Sequence, residues 1–210
     1  MADNKHEHLA SWFFRLNGCL TIPNFVVHPE AGCNQRTDAD LLAVRFPHHL
    51  EKLWKPLKDH DFFTAEKMRL QVFFVEVKAG ACAINDTWAD PKRRNVNTVV
   101  SAIGFAPADA VDKIANSIYT TGQYSDNAVL ARFVCIGGKH GKLAPLFSAV
   151  RQILFPEILH FIHERFHDND KPKSSHDQWD AFGWHLYEEA NKYLKPEEFS
   201  YAVLNAWPNP

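Results

Sequence analysis

Three side chains invite a chemical reading before any fold is considered: Asp40, Glu76 and Lys78. Glu76 and Lys78 close the run Leu-Gln-Val-Phe-Phe-Val-Glu-Val-Lys, apolar enough for a central strand covered on both faces. A charge taken from water without partners costs several kcal/mol, or shifts its pKa until it is neutral, so these two residues require a reason to be there. Strand alternation sets both on one face, with Val77 turned into the core between them. Asp40, in the segment from Thr37 to Phe46, shares a face with Asp38, Leu42 and Val44 and can converge on them if the strands are neighbours. Two carboxylates are hard oxygen ligands suited to Mg2+, and the carbonyl of Val77 is a further oxygen donor. An ammonium beside such a centre can orient a metal-activated water or stabilise charge developing on a phosphate. Asp38 is an auxiliary acid on the same face, although an acid at the start of a strand is more often simply solvated.

The elements that must position these residues are legible in the apolar spacing. Leu9, Trp12, Phe13 and Leu16 recur at helical intervals and Gly18 follows where a left-handed cap belongs, predicting a first helix. Leu20 to His28 reads as a strand, with Pro23 favouring an edge position or an early place in the strand, and Pro29 to Asn34 as a turn. A second strand is expected over Thr37 to Phe46. Pro47 to Thr64 then forms an irregular or partly helical insertion, before a third strand over Arg69 to Lys78. Val96, Val99, Val100 and Ile103, closed by Gly104, predict a helix. Pro107 opens another, carrying Val111, Ile114, Ala115 and Ile118. Ala128 to Ile136 is the fourth strand, and helices follow at Pro156 to His167 and His176 to Tyr193. The segment from Asp168 to Ser175 is the one linker-like stretch. The order is α-β-β-β-α-α-β with a helical C-terminus.

Asp40-Leu-Leu-Ala-Val followed by Val75-Glu76-Val77-Lys78 at the end of an apolar strand resembles the pattern of the PD-(D/E)XK nuclease superfamily. The resemblance implies an α/β, restriction-endonuclease-like α-β-β-β-α-β core over residues 1–140 and a helical C-terminal extension over residues 141–210. It implies hydrolysis of DNA phosphodiesters with Mg2+ or Mn2+, and a site of Asp40, Glu76 and Lys78 with the metal held by Asp40, Glu76 and Val77. Members often carry an acid on the first helix, where Glu7 stands. The proline of the motif name is absent, since Ala39 precedes Asp40. Cleavage of both strands would require two sites, which suits a homodimer. A catalytically inactive DNA-binding or assembly subunit is the alternative within the same fold.

Composition agrees with a globular chain of 46% hydrophobic and 23% charged residues. No apolar stretch is long enough for a membrane span, and the polar N-terminus lacks secretory-signal features, so a cytoplasmic protein is expected. Cys19, Cys33, Cys82 and Cys135 lack metal or disulfide spacing and read as free thiols. A net charge of -2 predicts no strong general attraction to polyanions, which counts mildly against coating of nucleic acid by charge alone. Local basic runs remain at Lys92-Arg93-Arg94, at Lys139-His140-Gly141-Lys142, and at Lys52, Lys55 and Lys58. Each is more often a solvated face than a phosphate contact. His163-Glu164-Arg165-Phe166-His167 satisfies the His-Glu-x-x-His spacing of a zinc protease. Arg165 between the would-be ligands, and Lys173 where a third histidine would stand, favour instead a solvated histidine face shared with His160.

Overall fold

The computed structural model describes residues 4–28, 37–168 and 179–206. Helix α1 (Lys5–Leu16) buries Leu9, Ala10, Trp12, Phe13, Phe14 and Leu16 along one stripe. It ends at Gly18, whose φ of 74° disfavours any side chain. A Cβ there would also lie 2.3 Å from the His49 ring, so the glycine seats the segment that follows the second strand.

The chain then builds a mixed six-stranded sheet from β1 (Cys19–Val27), β2 (Thr37–Arg45), β3 (Leu70–Ala81), β4 (Gln123–Ser125), β5 (Val129–Lys139) and β6 (Arg151–Leu154). Strands β1, β2 and β3 form an antiparallel meander with β1 at the edge, where Pro23 is tolerated. Strand β5 runs parallel to β3. Its other side pairs antiparallel with β4 at one end and parallel with β6 at the other.

Helices cover both faces. Helix α1 lies on one face with α5 (Phe155–His167), α6 (Ala181–Lys192) and α7 (Pro196–Asn205), over Leu41, Ala43, Phe73, Val75 and Val77. On the other face α3 (Asn95–Ile103) and α4 (Val111–Thr121) pack over Leu42, Val72, Phe74, Phe133 and Cys135. Two covered faces account for the unbroken apolar run of β3. The insertion after β2 holds only one short helix, α2 (Asp61–Thr64). It is fastened by charge: Asp59 accepts from Arg45 Nη2 at 2.5 Å and from Arg165 Nη2 at 2.9 Å, and Arg165 also pairs with Glu51.

Three elements depart from the expected order. Strands β4 and β6 are three and four residues long, too short for alternation to register. Because β6 joins the sheet, the chain beyond residue 140 adds a strand before its helices. Helix α7 begins with Pro196 at its first turn, a helix-starting signal passed over in the sequence. The turn at Pro29 to Asn34, Cys33, most of the linker-like stretch and the start of the helix expected from His176 lie outside the described residues. Within them, α6 begins only after Asp180, whose carboxylate accepts from Gly183 N. Cys19, Cys82 and Cys135 are buried free thiols. Among the described residues no helix is long and apolar enough to cross a membrane.

Candidate active site

Strands β2 and β3 are paired from Arg45↔Gln71 to Leu41↔Val75 and then part. At this fork the next rung of the ladder is made by a side chain, as Asp40 Oδ2 accepts from the Val77 backbone N–H at 2.6 Å. The amide and carbonyl of one strand residue project to the same side, so the Val77 carbonyl also faces the fork. Lys78 Nζ lies 2.8 Å from Glu76 Oε2 and 3.5 Å from Asp40 Oδ2. The convergence expected from alternation is therefore present: Asp40, Glu76 and Lys78 form one patch near the C-terminal end of β3.

Glu76 is 1% exposed, and its second oxygen is held by an unforeseen partner, Trp88 Nε1, at 2.8 Å. Trp88 lies just past the motif in the sequence, a place that suits a residue of the groove or of the core. It is fully buried, but the indole of a buried tryptophan still requires an acceptor, and that requirement is the signal that could have found it. The short 3-10 turn Asp86–Trp88 that carries it is tied at both ends of Thr87. The Thr87 hydroxyl bonds Thr37 at 2.9 Å, and its carbonyl accepts from Asn95 Nδ2 at 2.9 Å.

Burial, opposed by Lys78 and Trp88 and reinforced by the Asp40 charge, pushes the Glu76 carboxyl up to about 7. The carboxyl is thus poised near neutrality, where a modest change in local charge decides its ionisation. Lys78 holds its proton more tightly than an ordinary lysine, since the two carboxylates outweigh the cost of its burial. Glu7 on α1 is raised first by burial and then by the charges of Asp40 and Asp38, which puts it within electrostatic reach of the patch. Its carboxylate accepts a hydrogen bond from Asn4 Nδ2. Asp38 sits on β2 opposite Val26, on the Asp40 face but beyond the fork.

Among the described residues no group of three or more His, Cys, Asp or Glu is arranged to hold a metal ion. The donor set at the fork is two carboxylates and a backbone carbonyl, which suits an ion that keeps several waters. Lys78 stands between the carboxylates, so a cation bound by both would take its place against Glu76. The residues fit a hard divalent cation on that condition.

The histidines of α5 are differently employed. His163 Nε2 donates to the Tyr193 carbonyl at 2.8 Å and His167 Nε2 to the Ala190 carbonyl at 3.0 Å, fastening the end of α6. His163 is 4% exposed, so the expected solvated face is in part buried, beneath the packing of α6 and α7 on α5. Comparison with protein-family models, with curated proteins and with solved structures returns no match.

Proposed function

We propose that this chain is a metal-dependent nuclease of the PD-(D/E)XK kind that hydrolyses DNA phosphodiester bonds at Asp40, Glu76 and Lys78. The observation that carries the reading is the buried Glu76, held by Trp88 and Lys78 beside a carboxylate that replaces a ladder bond. With the short α2 and β4 set aside, the order α1-β1-β2-β3-α3-α4-β5, with three antiparallel strands and β5 parallel to β3, supports a restriction-endonuclease-like core with one extra helix.

Asp40, Glu76 and the Val77 carbonyl would hold Mg2+ or Mn2+, which when bound supplies charge neutralisation at the scissile phosphate and an acidified water. Asp40 is oriented by the Val77 amide and Glu76 by Trp88, so neither carboxylate must be ordered when substrate arrives. Once displaced from Glu76, the Lys78 ammonium is free to stabilise the attacking hydroxide and the charge gathering on the phosphate oxygens. A homodimer would supply one such site for each strand of a duplex.

The test is cleavage of duplex, single-stranded and branched DNA with Mg2+ or Mn2+, beside calorimetric titration of each metal. Asp40→Asn and Glu76→Gln are expected to weaken metal binding and abolish cleavage while the fold is kept. Failure of the wild type to cut any of these substrates would replace this reading with that of a binding or assembly subunit.

A further inference from the structure

The patch carries two carboxylates against one ammonium, which repels a polyanion until a metal binds, so a nucleic-acid substrate requires positive charge nearby. Strand β5 supplies it. Its register sets Gly137 beside Lys78 and Lys139 beside Ala81, so the end of β5 lies just past the patch on the same end of the sheet. Lys139, His140 and Lys142 are all exposed there. Among the described residues, none of the three has a carboxylate partner within ion-pair distance. Lys192 and Lys195 are each paired with an acid, whereas exposed Lys55, Lys67, Lys92 and Lys113 also have no such pair among the described residues, so it is position past the patch that singles out Lys139, His140 and Lys142.

The backbone beneath these cations is fixed. Cys82 N donates to the Lys139 carbonyl at 2.9 Å, and the Gln152 side chain holds Gly141 through both its N–H, at 2.8 Å, and its carbonyl, at 3.0 Å. A Cβ at Gly141 would lie 1.8 Å from the Cys82 carbonyl oxygen, and one at Gly138 would lie 2.7 Å from the Ala79 carbonyl oxygen. The glycines therefore let this segment lie flat against the extension of β3 and present its basic side chains from a fixed base.

Taking the nuclease reading as its premise, we infer that Lys139, His140 and Lys142 form a phosphate-binding track for duplex DNA on the β5 side of the active site. Ala81 is three residue steps beyond Lys78, with a bulge in the pairing between them, so the separation is at most roughly 10 Å. The track therefore grips the backbone within a few phosphates of the bond that is cut.

The experiment is the salt dependence of binding to a fluorescent duplex oligonucleotide, followed by anisotropy in Ca2+, with cleavage in Mg2+ measured separately. Two lost phosphate contacts should flatten the plot of log affinity against log salt by about 1.8 in the Lys139→Ala/Lys142→Ala double variant. Lys192→Ala/Lys195→Ala, at sites already ion-paired, is expected to keep the wild-type slope. Equal slopes in the wild type and the Lys139/Lys142 variant, or no duplex binding by the wild type, would overturn the track. A flattened slope in a protein that cuts no DNA would leave the track standing and remove the nuclease reading. Cleavage with an unchanged slope would do the reverse.

Discussion

Strands β2 and β3 carry buried charge at both ends, and the two ends behave differently. At one, Arg45 and Arg165 share Asp59, and Glu51 closes the cluster; the two arginine side chains are each 2% exposed. Guanidinium stays charged at any pH a protein meets, so this cluster is settled and serves to fasten the insertion. At the other end the cation is a lysine, 26% exposed, Asp40 is 15% exposed, and the buried Glu76 is poised at about 7. Buried charge alone therefore does not distinguish an active site. An unsettled proton together with an opening to solvent is what makes the fork the candidate site of the two.

The largest contrast should come from deleting one cation at each end. Lys78→Ala is expected to lower kcat on the order of a hundredfold or more, the scale for removing one electrostatic contributor, with DNA and metal affinity kept. Lys78→Arg should rescue it poorly, because the planar fork does not fit where a compact ammonium did. Arg165→Met instead leaves Asp59 and Glu51 short of a partner and should destabilise the fold by roughly 3–5 kcal/mol in urea unfolding, with kcat per folded molecule unchanged. Loss of kcat at native stability in Arg165→Met would erase the distinction.

A smaller effect sharpens the same contrast. The folded chain keeps the Glu76 proton up to about 7, whereas the unfolded chain releases it near the ordinary glutamate value of 4.5. Between those values the folded state binds more protons, so stability without metal falls as pH rises through this window. Glu76→Gln removes the fall, and its Tm should exceed that of the wild type above pH 7 and match it below 4.5. Equal melting curves at every pH would show that the folded chain does not hold the Glu76 proton above its ordinary value. The smallest effect belongs to Trp88, a positioning residue whose indole stabilises the ionised Glu76. Trp88→Phe should move the acidic limb of the pH–rate profile upward, by on the order of one unit or less, where a purely structural role would lower the rate equally at all pH.

Much of this architecture could be read from the residues, because β3 and α1 bury whole faces and so carry strong periodic signals. The convergence of Asp40, Glu76 and Lys78 followed from alternation alone, once β2 and β3 were neighbours. What could not be read depends on contacts distant in sequence. Trp88 reaches Glu76 across a turn, and Arg165, which argued against a zinc site, also proves to be the partner of a loop more than a hundred residues earlier. His163 looked solvated because α7, which helps to cover it, was not foreseen.

The rung that Asp40 supplies at the fork has a consequence for when the site comes into being. Strand pairing and the placing of this carboxylate are one event, since the bond that orients Asp40 is also the last bond of the β2–β3 ladder. No later ordering of a loop is needed to put Asp40 in position, and opening the sheet between β2 and β3 takes it away. The protection of the Val77 amide against hydrogen exchange accordingly reports, from a single backbone proton, whether the carboxylate is in place.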